Sequence, residues 1–158
     1  MLVGVPKEIK PSEFRVGMTP AAVREYVAHG HQVLVETKAG EGIGASDDAY
    51  RAAGAEIAAT AAEVFAKAGM IVKVKEPQPG EWKQLRPGQI LFTYLHLAAD
   101  APQAKGLMAS GVTAVAYETV TDARGEIDGR EPPFLGERRR NLAIERIKLH
   151  EITANEPF

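Results

Sequence analysis

The chain begins with the apolar run Leu2-Val3-Gly4-Val5, which is ended by Pro6 and followed by an amphipathic stretch. A short apolar run closed by proline is typical of a buried β-strand. Outward from this run, Thr19-Pro20 provides an N-cap and a proline at the first helical position, and Gly30 closes the helix that these residues predict. The apolar residues of that helix lie three and four positions apart, so one face is expected to pack on the strand.

The alternation of strand and helix continues along the chain. Further strands are predicted at 33–35, 70–74, 89–93 and 112–116, and further helices at 46–54, at 60–69 and from 100 to about 108. Strands that alternate with helices pair in parallel, and the helices cover both faces of the sheet. The sequence therefore predicts an α/β fold with a parallel sheet flanked by helices.

Composition limits the classes of function. Of 158 residues, 45% are hydrophobic and 25% charged, which allows one domain with its own core. The net charge of −2 argues against a broad surface for nucleic acid or an anionic membrane. There is no cysteine for disulfides or thiolate metal sites, and no signal-peptide pattern is recognised. Because no apolar stretch approaches the roughly 20 residues that span a bilayer, a soluble, cytoplasmic protein is expected.

The sequence changes character after Gly125. Glycine, proline and charged residues are concentrated from there to Arg140, and no further β pattern follows. Residues 141–152 are compatible with a charged helix, although their apolar members form no single stripe. Because so short a segment cannot bury a core alone, 1–125 is predicted as one domain and 126–158 as a charged tail.

Polar side chains follow the predicted strands at the point where each strand ends. Arg15 follows the first strand, Lys75 follows the strand at 70–74, and Tyr94 and His96 follow the strand at 89–93. The carboxyl ends of parallel strands meet at one edge of the sheet, and ligands of open α/β sheets bind outside that edge. These side chains are therefore candidates for one site.

Glu8, after the first strand, and Glu118, after the last strand, are candidates for a supporting role at the same edge. Each candidate also has a purely structural reading. A loop arginine often forms a surface salt bridge, and either Lys73 or Lys75 could face water on an edge strand. His96, between two leucines, could be a hydrogen-bonded packing residue. Arginine, lysine and histidine at one edge carry more weight together than separately.

The chemistry of these three residue types suits a small amino acid or keto acid. A guanidinium group binds a carboxylate through paired hydrogen bonds, and an ammonium stabilises negative charge on a carbonyl oxygen. A neutral imidazole can take up and return a proton. No metal site is predicted, because His29 and His31 lack carboxylates at ligand spacing, and no Gly-x-Ser-x-Gly nucleophile motif occurs.

The segment Gly40-Glu41-Gly42-Ile43-Gly44 is similar to a phosphate-binding turn, since it follows a strand and precedes a helix. Its glycines alternate, however, and Thr37-Lys38-Ala39 separates them from the strand. A dinucleotide site needs a tight strand-to-helix turn and a later acidic residue at the end of the next strand. The segment is therefore predicted to form a sharp surface turn.

Seven blocks of the sequence are typical of a known family. The first two are Gly4-Val5-Pro6-Lys7-Glu8-Ile9-Lys10 and Glu13-Phe14-Arg15-Val16-Gly17-Met18-Thr19-Pro20. The series continues in order at 30–36, 39–42, 71–77, 92–98 and 116–119. These blocks resemble the alanine dehydrogenase and pyridine nucleotide transhydrogenase family. Within that family, the sequences of residues 14–18 and of Tyr94-Leu95-His96-Leu97 favour the alanine dehydrogenases over the transhydrogenases.

The resemblance implies a single Rossmann-like substrate domain. In that case Arg15 and Lys75 hold the carboxylate and carbonyl of pyruvate or alanine, His96 is the acid and base, and Tyr94 walls the pocket. The family interconverts L-alanine with pyruvate and ammonia, with NAD as cofactor.

The resemblance ends near Glu126, and no nicotinamide-binding Rossmann domain follows in these 158 residues. Two hypotheses follow from this departure. The first is a truncated alanine dehydrogenase whose activity is weakened or depends on a partner. The second is a non-catalytic module that binds pyruvate or alanine, or that only oligomerises. Both predict a homodimer or a higher oligomer.

Overall fold

A computed structural model describes residues 1–119 and confirms the α/β fold. The strands of the sheet are Leu2–Val5 (β1), Gln32–Glu36 (β2), Glu56–Ala58 (β3), Met70–Val72 (β4), Ile90–Thr93 (β5) and Thr113–Ala116 (β6). The α-helices are Pro20–Ala28 (α1), Asp47–Ala52 (α2), Ala61–Lys67 (α3), Pro79–Trp82 (α4) and Ala101–Ser110 (α5). The predicted tail and its helix at 141–152 lie outside the described residues.

The sheet is parallel throughout, with strand order β3-β2-β1-β4-β5-β6. The chain builds one half from β1 outward to β3 and then returns to place β4 on the other side of β1. This reversal makes the carboxyl ends of β1 and β4 the topological switch point, where the connecting loops diverge and leave a crevice.

The helix starts follow from side-chain caps that the sequence predicts. In each case a side-chain oxygen accepts a hydrogen bond from the backbone N–H three residues later, which satisfies one of the unpaired donors of the first turn. The four capping residues are Thr19, Ser46, Thr60 and Asp100.

The core has two halves because successive residues of a strand point to opposite faces of the sheet. Val3 and Val5 of β1 pack on the face covered by α1 and α2, whereas Ile71 of β4 and Leu91 of β5 pack on the face covered by α3 and α5. Among the described residues, every helix is too short or too polar to cross a membrane.

Three elements differ from the sequence prediction. Neither β3 nor α4 was predicted, since segments of three and four residues are too short to show a period. The strand expected to reach Val74 ends at Val72, although the N–H of Lys73 still donates to the carbonyl of Phe92 at 3.0 Å. Beyond Val72 the chain leaves the sheet and directs Lys73 and Lys75 toward the switch point.

Candidate functional site

Arg15 is held by a neighbouring carboxylate in the loop after β1. Its Nε donates to Glu13 Oε1 at 2.9 Å and its Nη2 donates to Glu13 Oε2 at 2.8 Å. Hydrogen bonding from Arg15 lowers the pKa of the Glu13 carboxyl, and the positive charge of Lys75 adds to that effect. The pair is therefore ionised at neutral pH, and the Arg15 guanidinium has a fixed plane.

Lys75 lies beside this pair, in the loop after β4. Its Nζ is 5.2 Å from the centroid of the Tyr94 ring, within the range of a cation–π contact. The hydroxyl of Thr93 donates to the Lys75 carbonyl at 2.8 Å, which anchors the backbone next to the end of β5. Arg15 and Lys75 thus both act on one carboxylate, that of Glu13.

Tyr94 joins Lys75 to His96. The rings of Tyr94 and His96 stack with centroids 5.5 Å apart and an interplanar angle of 29°, and His96 Nδ1 lies 3.2 Å from the Tyr94 hydroxyl oxygen. The loops after β1, β4 and β5 therefore bring Arg15, Lys75, Tyr94 and His96 together. Whether His96 Nδ1 donates to or accepts from the Tyr94 hydroxyl depends on the tautomer of the imidazole.

Glu118, after β6, also lies at this edge. Its Oε1 accepts the backbone N–H of Leu95 and that of His96, both at 2.9 Å. The carboxylate thus contacts the backbone that carries the histidine.

Glu8 reaches the same edge by a different contact. Its Oε1 accepts the backbone N–H of Val74 at 2.7 Å, and its Oε2 accepts from Lys73 Nζ at 3.2 Å. Burial raises the pKa of the Glu8 carboxyl, and the Lys73 ammonium and the Val74 N–H partly offset this. Glu8 therefore ties the loop after β1 to the loop after β4 across the switch point.

Lys73 has a role that its sequence position did not reveal. The reading in which Lys73 or Lys75 faces water on an edge strand is wrong, because β4 is a central strand and Lys73 is 2% exposed. Its Nζ lies 2.8 Å from Glu81 Oε1 and 3.2 Å from Glu8 Oε2. Two buried carboxylates therefore share one buried ammonium directly behind the site.

Tyr117 completes the wall of the site between β5 and β6. Its hydroxyl donates to the carbonyl oxygen of Val74, and its ring meets the Tyr94 ring edge-on at 6.0 Å. Burial raises the pKa of the Tyr117 hydroxyl, so it remains a proton donor at neutral pH. Tyr117 directly precedes the candidate Glu118 in the sequence, and its contact with Val74 was not predicted.

Two glycines hold the Arg15 loop. A Cβ on Gly17 would lie 2.8 Å from the carbonyl carbon of Val72, and a Cβ on Gly42 would lie 2.8 Å from that of Phe14. The segment at 40–44 does form a surface turn around a 3₁₀ helix, Glu41–Ile43, with Gly44 at φ 74°. This turn packs against the backbone immediately before Arg15.

Comparison with known proteins gives a consistent result. Residues 4–130 match the family model described as "Alanine dehydrogenase/PNT, N-terminal domain". The alanine dehydrogenase of Mycolicibacterium smegmatis is 52% identical over 127 residues, covering 80% of this chain and 34% of that protein. The alanine dehydrogenase of Bacillus subtilis is 53% identical over 124 residues, covering 78% and 32%.

Solved structures show the same similarity. A structure titled L-alanine dehydrogenase superposes with a TM-score of 0.78 at 48% identity, covering 80% of this chain and 35% of that chain. A transhydrogenase from Sinorhizobium meliloti superposes with a TM-score of 0.73 at 28% identity, covering 78% and 35%. The chain spans about a third of the length of the curated relatives it matches.

Proposed function

The chain belongs to the alanine dehydrogenase/PNT N-terminal domain family, and on that premise we propose that residues 1–125 form the substrate-binding domain of an alanine dehydrogenase. The proposed reaction is the reversible NAD-dependent oxidative deamination of L-alanine to pyruvate and ammonia. The observation that supports it best is the approach of Arg15, Lys75 and His96 from three loops to one edge of the sheet.

Each side chain has a role that follows from its chemistry. Arg15 binds the substrate carboxylate, since a guanidinium held in one plane by Glu13 is pre-organised for carboxylate recognition. Lys75 donates to the carbonyl oxygen of pyruvate and stabilises negative charge there. His96 transfers the protons needed to form and hydrolyse the imine. Tyr94 fixes the imidazole and walls the pocket.

NAD supplies hydride transfer in this proposal, but the glycine turn at 40–44 does not fit the phosphates of the cofactor. The glycine turn at 40–44, the part of residues 1–119 most similar to a phosphate cradle, is packed against the Phe14 backbone. A phosphate group has no room where that backbone lies. NAD is therefore proposed to bind to a further domain or a second chain. The tail at 126–158 is proposed as a segment separate from the substrate domain.

A second candidate function is binding without catalysis. The glycine turn at 40–44 offers no room for a phosphate group beside the Phe14 backbone. A module that binds pyruvate or alanine needs only the Arg15 and Lys75 contacts. The two functions share the binding step and differ in turnover.

Pyruvate binding tests the step that both candidates share. Arg15→Ala and Lys75→Ala are each expected to weaken pyruvate binding by at least about tenfold, because each removes a charge-assisted hydrogen bond. Isothermal titration calorimetry with the 158-residue chain measures this effect. The matched controls are Arg51→Ala and Lys67→Ala, whose side chains form surface ion pairs with Asp48 and Glu63 and should leave affinity unchanged. A wild-type chain that binds no pyruvate would exclude both candidates.

Turnover distinguishes the two candidates. The catalytic candidate predicts NADH oxidation with pyruvate and ammonium in the wild type and none in His96→Ala, while the affinity of His96→Ala for pyruvate changes only a few-fold. If the wild type binds pyruvate but leaves NADH untouched, the binding module is the better description of this chain alone.

Association into a homodimer or a higher oligomer is part of the proposal. Ile9, Phe14 and Ile43 are 56%, 69% and 41% exposed; the first two lie in the loop after β1, and Ile43 ends the 3₁₀ helix Glu41–Ile43. Large exposed apolar side chains on one rim favour association with a second copy of the chain, which would cover them. Light scattering should give at least a dimer mass, and a monomer at micromolar concentration would contradict this part.

A further inference from the structure

The backbone of His96 has an unusual conformation. Its φ is 52° and its ψ is 39°, in the left-handed region. A residue with a Cβ pays steric free energy there and rarely adopts it unless neighbouring contacts over-determine the geometry. The contacts that hold His96 in this conformation also decide where its imidazole points.

Two side chains from separate elements hold the peptide before His96. Glu118 Oε1, beyond the end of β6, accepts the N–H groups of Leu95 and His96, both at 2.9 Å. Gln103 Nε2, from α5, donates to the carbonyl of Leu95 at 2.7 Å. Hydrogen bonds from successive N–H groups to a carboxylate are charge-assisted and strong, and such paired donors form a local anion cradle.

The second oxygen of Glu118, Oε2, is buried and has no hydrogen-bond partner among residues 1–119. Within that range, the contacts to Leu95 and His96 are therefore the polar contacts that the carboxylate makes. Removing them would leave the left-handed turn without its acceptor and free His96 to relax to a commoner conformation.

From this arrangement we propose that Glu118 is a positioning residue for His96: it holds the left-handed turn at His96 and so keeps the imidazole stacked on Tyr94. The proposal rests on the function proposed above only in treating His96 as the proton-transfer group. The geometric part, from Glu118 to the His96–Tyr94 pair, stands on contacts in this chain alone.

Three substitutions separate position from charge. Glu118→Gln keeps a carbonyl oxygen at the same reach and loses the charge. Glu118→Asp keeps the charge but shortens the side chain by one methylene. Glu118→Ala loses both. A positioning role predicts that Glu118→Gln keeps the wild-type geometry of the His96 turn and Glu118→Asp loses it. A purely electrostatic role predicts that Glu118→Asp keeps the wild-type behaviour and Glu118→Gln loses it.

Hydrogen exchange and ring contacts measured by NMR test the geometry without requiring activity. In Glu118→Ala and Glu118→Asp, the Leu95 and His96 amides should exchange at least about tenfold faster, and the nuclear Overhauser contacts between the His96 and Tyr94 rings should disappear. In Glu118→Gln both should stay near wild type. Glu63→Ala is the control, because it removes a glutamate that accepts a backbone N–H from Ala59, away from the site.

Unchanged exchange and ring contacts in Glu118→Asp and Glu118→Ala would overturn the proposal, as would loss of both in Glu118→Gln. Where NADH oxidation is measurable, Glu118→Ala should lower kcat about tenfold and leave KM for pyruvate unchanged, with recovery in Glu118→Gln. If the wild type fails to bind pyruvate but the NMR pattern holds, the proposed function fails and the positioning role stands.

Discussion

Replacement of Lys73 by methionine is expected to lower the free energy of unfolding by about 3–5 kcal/mol at neutral pH. Lys73 Nζ lies 3.2 Å from Glu8 Oε2 and 2.8 Å from Glu81 Oε1, and all three side chains are buried. Methionine fills a similar volume but leaves two buried carboxylates without their counter-ion. Urea denaturation followed by the fluorescence of Trp82 and by circular dichroism measures the loss.

Two comparisons isolate the buried charge as the cause. Lys67→Met removes an exposed lysine that is paired with Glu63 at 2.6 Å, and should change stability little because solvent screens that pair. The triple variant Glu8→Gln, Lys73→Met, Glu81→Gln removes all three charges and should recover most of the loss. A large loss in Lys67→Met, or no recovery in the triple variant, would contradict this account.

The same variant should show a characteristic pH dependence. In the wild type, burial raises the pKa of Glu8, and Lys73 partly offsets that rise. Without Lys73 the pKa of Glu8 should rise further, so the folded state favours the protonated carboxyl more than the unfolded state does. Stability is then greatest below the unfolded pKa and is lost as pH increases through the folded pKa.

The deficit of Lys73→Met relative to wild type should therefore shrink as pH falls from 8 toward 5. Denaturation curves of both proteins at several pH values in this range provide the measurement. A deficit that is constant across the range would mean that the Glu8 carboxyl does not carry the effect.

Local sequence patterns predicted most of the described strands and helices, because a strand or helix of ordinary length leaves its own period and caps. Thr19-Pro20 before α1 and Gly30 after it are examples. The pairing of β1 with β4 has no such local signature, because parallel neighbours are separated by whole crossover units. Strand order therefore came from the structure.

The candidate site was likewise predicted only in part from the sequence. Arg15, Lys75 and His96 could be placed at one edge, because every parallel strand delivers its following loop to that edge. The contacts that hold these loops could not be predicted: Glu13 on Arg15 within one loop, and Glu8 on the N–H of Val74 and Glu118 on the turn at His96 between loops. Each of these contacts depends on the paths of loops that the local pattern does not determine.

The substitution Gly42→Ala is expected to weaken pyruvate binding by about tenfold, as Arg15→Ala does, since displacing the Arg15 guanidinium loses the same charge-assisted contact. The new Cβ would lie 2.8 Å from the carbonyl carbon and 2.9 Å from the Cα of Phe14, so the backbone before Arg15 must move by roughly 1 Å. Overpacking of this kind should also lower the free energy of unfolding by about 1–3 kcal/mol. Calorimetry with pyruvate and urea denaturation measure the two effects.

Gly44→Ala is the matched control, because it strains the same turn without pushing on Phe14. Gly44 has φ 74°, so alanine costs about 1 kcal/mol there, yet no atom lies within 4 Å of the new Cβ. Its pyruvate affinity should stay at the wild-type value, and hydrogen exchange at residues 12–18 should increase only in Gly42→Ala. Equal losses of affinity in the two variants would assign the effect to general weakening of the turn. A loss confined to Gly42→Ala would mean that the glycine turn, although similar in sequence to a phosphate-binding turn, acts by holding Arg15 in place.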